Sequence, residues 1–239
     1  ILKEEYYQAN AFEGRTDLKS VLALNLKQVS NCMFKRSYNL EVVVMPEVIG
    51  IVDGNCRDDF QFDGAFSFTK VQYCFFPKLE RVGSWAFCNL QIKKLNFNNF
   101  PDVQTIGEGA FYGCSITSVN LSKLVSVGRE GFRNCVRLKD FSADLLKYIG
   151  EWCFSNCAQL SLIRCKLESE KFICDECGEC PICTEELNNC LLRGCVIKFR
   201  RLRHTNMNLK AQLTWLQECL GNKYLQFQTI KDQLQLGGE

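Results

Sequence analysis

Four segments of one pattern, VGSWAFCNL, IGEGAFYGC, VGREGFRNC and IGEWCFSNC, begin at Val82, Ile106, Val127 and Ile149. A chain that repeats itself at a near-constant interval is restricted to folds in which one unit stacks on the next. Each segment opens with Val or Ile followed by glycine (Gly83, Gly107, Gly128, Gly150) and reaches phenylalanine five residues on (Phe87, Phe111, Phe132, Phe154). Three of the four carry cysteine three residues later, at Cys114, Cys135 and Cys157. The phenylalanines are 24, 21 and 22 residues apart. A second aliphatic stands three residues ahead of the first in the pairs Leu79/Val82, Val103/Ile106, Leu124/Val127 and Leu146/Ile149. Leu26/Val29 and Val48/Ile51 continue that spacing towards the N-terminus, and Pro46, Pro77 and Pro101 each precede such a pair by two residues.

Between a phenylalanine block and the next pair lies a short strand-like stretch: Ile92, Leu95 and Phe97, then Ile116, Val119 and Leu121, then Leu138 and Phe141. Alternate residues of a strand point to opposite faces, so the two that flank a buried aliphatic point outwards. One unit of about 22 residues cannot bury its apolar side alone; neighbours must cover it, giving a parallel sheet with an internal phenylalanine spine. The composition, 46% hydrophobic and 23% charged over 239 residues, fits a globular chain of one or two domains. No apolar run approaches the roughly 20 residues of a membrane-spanning helix. With 29 Lys+Arg against 27 Asp+Glu, the net charge of +2 supplies no overall field to attract nucleic acid or anionic lipid. His204 is the single histidine, which excludes two-histidine mechanisms and weighs against a hydrolase.

These residues resemble the BspA-like, or treponemal-type, leucine-rich repeats, whose units read I-G-x-x-A-F-x-x-C-x-x-L-x-x-I-x-L-P. The match covers about residues 18–165. The resemblance implies an α/β leucine-rich-repeat solenoid, a parallel sheet with one short strand per repeat. Departures are visible: the 31 residues from Ile51 to Val82 contain an insertion around Asp53–Asp63, with Cys56 and Phe66 as competing spine residues, and the first unit (Val29, Phe34, Leu40) lacks the glycine. Residues 1–17 fit no repeat and are expected to form an N-terminal cap. The row Cys114, Cys135, Cys157 is read as small buried thiols filling the spine.

The outward strand positions, on the concave face, are Tyr73 and Phe75, Lys94 and Asn96, Ser118 and Asn120, Asp140 and Ser142, Leu162 and Arg164. They hold no paired carboxylates, no histidine and no glycine-rich phosphate cradle. Aromatics at one end and polar groups beyond suit recognition of another protein. Asn120-Leu-Ser122 is a glycosylation sequon, meaningful for a chain that enters the secretory pathway.

After residue 165 the repeat ends. Residues 166–186 carry seven acidic and two basic side chains, and Cys174, Cys177, Cys180, Cys183, Cys190 and Cys195 follow one another closely. Thiolates two residues apart can grip one metal, and zinc takes four tetrahedrally. Residues 166–197 are therefore expected to form a zinc module, with Cys180, Cys183, Cys190 and Cys195 as first ligand set and Cys174 and Cys177 as alternates; a disulfide cluster is the competing reading. CPICTEE resembles the opening of a RING-type zinc domain, which implies a ubiquitin-ligase adaptor, yet the later Cys-x-His pair is absent. The remaining spacings are similar to ferredoxin-type iron–sulfur ligation and to half of a fungal binuclear zinc cluster, each with members missing.

Residues 198–239 read as a coiled-coil helix. Leu202, Leu209, Leu216 and Ile230 fall at heptad position d, Leu213, Leu220, Phe227 and Leu234 at a, with Asn206 also at a. A buried amide there fixes register and favours a dimer, so a homodimer through 202–236 is expected. Residues 187–217 contain six Lys/Arg and no acid; basic-zipper DNA binding needs a longer basic helix, so no nucleic-acid partner is expected. The whole reads as a non-enzymatic scaffold that binds a protein partner. Thiolates with a coiled coil point to an intracellular, cytoplasmic location; a secreted or surface adhesin is the alternative, marked by an upstream signal peptide and oxidised cysteines. Native mass spectrometry of the intact chain should show twice the chain mass with bound zinc; a monomer lacking metal, lighter by disulfide hydrogens, contradicts both expectations.

Overall fold

The aliphatic pairs and phenylalanines build the rungs of a parallel β-solenoid. The computed structural model describes residues 1–57, 61–90, 95–167, 191–192 and 195–197. The chain divides into two compact units, Ile1–Lys198 and Phe199–Glu239; the second, which contains the heptad segment, lies outside the described residues. Most rungs of the first unit carry two strands. One row of three- or four-residue strands comprises Ser20–Leu22, Val42–Val44 and Tyr73–Phe75, then Ser118–Asn120, Asp140–Ala143 and Leu162–Cys165. The second row consists of Gln28–Val29, Gly50–Ile51, Arg81–Val82, Thr105–Ile106, Ser126–Val127 and Tyr148–Ile149, hydrogen-bonded as one six-stranded sheet. Every pairing within these rows is parallel.

The expected α/β class with one strand per repeat is thus corrected: most repeats have two strands, and among the described residues the only helical element is a single 3-10 turn, Phe97–Asn99, which stands in place of one strand. The reason lies in the corner after the second strand. Its backbone turns left-handed twice, four residues apart: Asn10/Gly14, Cys32/Arg36, Trp85/Asn89, Gly109/Gly113, Glu130/Asn134 and Trp152/Asn156 all have φ between 53° and 69°. Such residues interrupt a right-handed helix, and the corner instead bonds sideways. Phe87 N–H donates to Ala110 O, Phe111 N–H to Gly131 O and Phe132 N–H to Cys153 O, at 2.9–3.0 Å. Among the described residues, no helix is long and apolar enough to cross a membrane.

Inside, the rings of Phe12, Phe34, Phe66, Phe87, Phe111, Phe132 and Phe154 stack face to face, with centroids 5.1–5.9 Å apart and planes within 15°. The spacing slightly exceeds the strand separation of about 4.8 Å, so the rungs set the stack. Phe66, not Cys56, is the spine residue of the long interval. The extra residues form an antiparallel hairpin, Asn55–Arg57 with Gln61–Asp63, which projects from the corner without disturbing the ladder. Residues 1–17 lie on the first rung in the same corner conformation: Asn10, Phe12 and Gly14 N–H groups donate to Asn31, Met33 and Lys35 carbonyls. At the other end, Cys195–Ile197 pairs antiparallel with Leu162–Arg164 and with Leu191–Leu192. Cys174, Cys177, Cys180, Cys183 and Cys190 lie outside the described residues.

Close stacking explains the glycine of the motif. A Cβ on Gly150 would sit 2.2 Å from Arg129 N, and one on Gly107 2.5 Å from Ser84 N, so the strand pair can close only where the side chain is missing. The cysteine row has an equally specific cause. The Cys114, Cys135 and Cys157 thiols donate to the Phe87, Phe111 and Phe132 carbonyls of the preceding rung at 3.0–3.1 Å. Ser37, at the equivalent place, donates to Phe12 O at 2.9 Å. The position calls for a small buried donor, which both residues supply. Burial pushes the Cys114 thiol up to about 12 and raises Cys74, Cys135 and Cys153 as well.

Gly150→Ala should lower stability by about 1–3 kcal/mol, the usual cost of overpacking, in urea denaturation. Gly50→Ala, with no atom within 4 Å of the added carbon, should be neutral or slightly stabilising. An equal loss at both positions would show that steric closure is not what the motif glycine provides. A second consequence concerns pH. The unfolded chain ionises Cys114 near its ordinary value while the folded chain holds it neutral. Stability is therefore complete below about pH 9 and is lost as pH rises towards about 12. The denaturation midpoint should fall across that window, and less steeply in Cys114→Ser, whose hydroxyl keeps the bond to Phe87 O without titrating.

Candidate interaction face

The three-residue strands bury their central side chain and present the two flanking ones. Val21, Val43, Cys74, Val119, Phe141 and Ile163 point inwards and are at most 3% exposed. Outward side chains stand in two rows fixed by the register. One row is Ser20, Val42 and Tyr73, continued by Ser118, Asp140 and Leu162; the other is Leu22, Val44 and Phe75, continued by Asn120, Ser142 and Arg164. The structure therefore brings Tyr73 and Phe75 together at one end and Ser118, Asn120, Asp140, Ser142 and Arg164 at the other. Leu22, Val42 and Val44 also belong to the face. Their signal was available, since each inward residue of these strands that precedes an aliphatic pair does so by five positions, from Val21/Leu26 to Phe141/Leu146.

That offset fails once, and the face is broken there. Five residues before Val103 stands Asn98, a polar residue where its counterparts bury an apolar one or a thiol. The interval from Phe87 to Phe111 is also the longest of the regular repeats, 24 residues. The strand expected to present Lys94 and Asn96 is replaced by the 3-10 turn. Asn96 caps it, its side-chain oxygen accepting from Asn98 N–H at 3.0 Å. Asparagine competes for backbone donors in this way, which favours turns over strands. Asn99 Nδ2 donates to Cys74 O at 2.8 Å and Phe76 N–H to Asn99 O at 3.1 Å, so the turn closes the edge of the Tyr73–Phe75 strand. Asn96 is exposed on this turn, and Lys94 lies outside the described residues.

The two halves differ in chemistry. On the N-terminal three strands, Val42 is 37% and Tyr73 47% exposed, beside half-buried Leu22, Val44 and Phe75. The C-terminal half is polar apart from half-buried Leu162. Elsewhere on the surface, charges are used between rungs: Glu47 lies between Lys27 at 3.1 Å and Lys78 at 2.6 Å, and Lys123 reaches Asp102 at 2.5 Å. Those two lysines hold the Glu47 carboxyl below its ordinary range, chiefly through the Lys78 hydrogen bond.

A second cluster, at the corners, carries no residue expected from the sequence. Phe62 of the hairpin stacks on Trp85 at 4.9 Å and meets Tyr112 at 5.3 Å; partial burial raises the Tyr112 hydroxyl's pKa. Two rungs further, Arg129 covers the Trp152 ring at 4.4 Å. Trp85 and Trp152 take the left-handed position that Gly109 and Glu130 occupy in the two intervening repeats, and these contacts offset the backbone cost of a side chain there. Among the described residues, no group of His, Cys, Asp and Glu is placed to hold a metal ion.

With the rungs and faces established, comparison with known families returns a match to the BspA type leucine rich repeat region, in six copies over residues 3–61 and 62–177. Neither the curated proteins nor the solved structures give a match.

Proposed function

Because the chain belongs to the BspA type leucine-rich-repeat family, and leucine-rich repeats generally mediate protein–protein interaction, we propose that it is a non-enzymatic scaffold whose three-residue-strand face binds a protein partner. One observation carries this reading. Val42 and Tyr73 are widely exposed side by side on a sheet whose neighbouring outward positions, Leu22, Val44 and Phe75, are also apolar. A contiguous apolar patch of this kind, left open by the described residues, is the kind of surface a protein partner covers in a complex. The polar half beyond the 3-10 turn, with Asn96, Asn120, Ser142 and the charged Asp140 and Arg164, supplies the directional contacts that select among partners.

The heptad seam at 202–236 and the cysteines at 174–195 extend the proposal. A dimer formed through the seam presents two faces at once, and linkage raises apparent affinity by effective concentration without any new contact. Zinc held by Cys180, Cys183, Cys190 and Cys195, or with Cys174 and Cys177 as alternates, gives the joint between repeat and helix its rigidity.

The test uses the full chain immobilised and exposed to native cell extract, with bound proteins quantified by mass spectrometry. Val42→Lys/Tyr73→Lys alters the face. Tyr148→Lys alters a 61% exposed residue of the other strand row and serves as control. One set of proteins should be retained by the parent chain and by Tyr148→Lys and fall at least ~tenfold with the double variant, as for loss of an interface hot spot. Equal retention by all three chains, or equal loss with the control, removes the assignment.

A further inference from the structure

The inserted hairpin forms one wall of a cleft at the corners of the first rungs. Its residues Asn55 and Asp63 line an open cleft of about 240 Å³ with Asn10, Glu13, Asn31, Cys32, Lys35 and Arg36. At its base lies an ion pair between Lys35 and Asp63, whose side chains are 8% and 9% exposed, with Glu13 Oε1 3.8 Å from the same ammonium. Burying such a pair costs desolvation that an apolar contact of similar volume avoids. The other side of the hairpin has that apolar solution, in Phe62 against Trp85. The polar side is therefore not explained by anchoring alone.

The lining has a definite chemistry. Among the described residues, two cations, Lys35 and Arg36, are balanced by two carboxylates, Glu13 and Asp63, which favours a neutral guest over an ion. Three carboxamides, Asn10, Asn31 and Asn55, converge on the same space, each offering a donor and an acceptor. Hydroxyl groups have the same double character. An apolar guest would make no use of these amides and would cover the Lys35–Asp63 pair without a polar contact, whereas a polar ring can meet both. The volume lies below the about 300–1,000 Å³ of sites for drug-sized molecules, which limits the guest to a single ring. We propose that this cleft is a binding site for a small, neutral, polyhydroxylated ring, a monosaccharide or cyclic polyol, held by the three asparagines over the Lys35–Asp63 pair. The site is separate from the strand face and stands or falls independently of it.

Titration of the ¹⁵N-labelled full chain tests the assignment, with carboxamide resonances as readout. The probes are glucose, galactose, mannose and myo-inositol, the methyl glycosides of the three sugars, and glutamate and inorganic phosphate as charged comparators. At least one neutral ring should shift the side-chain signals of Asn10, Asn31 and Asn55 saturably. Binding of its methyl glycoside identifies the terminal sugar of a glycan as the source, and loss of binding on methylation identifies the free sugar. Asn55→Leu, at an exposed position, and Asn31→Leu/Asn55→Leu should weaken that binding at least ~tenfold while the thermal midpoint holds. The proposal is overturned if no neutral ring shifts these signals, if only glutamate or phosphate does, or if the double variant binds as the parent chain does.

Discussion

Every rung is joined to its neighbours through its phenylalanine, and three kinds of contact meet on that one residue. The ring of Phe111 stacks between Phe87 and Phe132 at 5.3 Å, its N–H donates to Gly131 O, and its carbonyl accepts the Cys135 thiol. The first is apolar burial with the additional gain of aromatic contact; the other two satisfy backbone groups that would otherwise be costly to bury. Since all three point along the solenoid axis, no rung is complete without the next. This is why stability in such a molecule belongs to the stack and not to the unit.

The same constraint explains which irregularities the molecule accommodates. A change along the axis is resisted: glycine is needed where adjacent strands close up, and a small donor serves the Phe12, Phe87, Phe111 and Phe132 carbonyls. A change directed outward from a corner is absorbed. The hairpin of Asn55–Asp63 adds residues between two rungs whose phenylalanines, Phe34 and Phe66, still stack at 5.3 Å. Additional length emerges sideways, and it forms both an aromatic contact with Trp85 and a polar recess over Lys35.

Much of this was legible in the residues themselves. The spine, the aliphatic pairs, the insertion and the two outward rows follow from spacing, because stacking converts a sequence period directly into a spatial column. The four phenylalanines of the motif find their partners in Phe34 and Phe66 for the same reason. The second strand of each rung was not legible: two residues such as Thr105–Ile106 are too short for alternation to be detected. Nor was the double left-handed corner, since the positions are filled by Trp, Asn, Glu, Cys, Arg and Gly, which share a backbone state and not a side-chain type. The substitution of a turn for a strand at Phe97–Asn99 could have been anticipated from three asparagines at 96, 98 and 99 and a polar residue at the inward position. The cleft at Lys35 joins Asn10, Asn31 and Asn55, which no single period relates.

The interruption at Phe97–Asn99 also changes how the column bears load. The short two-residue strands form one uninterrupted ladder from Gln28 to Ile149, whereas the longer strands fall into separate ladders on either side of the turn. Pulled end to end, or bent, the rod has a seam on one side only. That side is held across the turn by fewer strand bonds than the other, so the boundary between the apolar and polar portions of the surface coincides with the weaker side of the ladder.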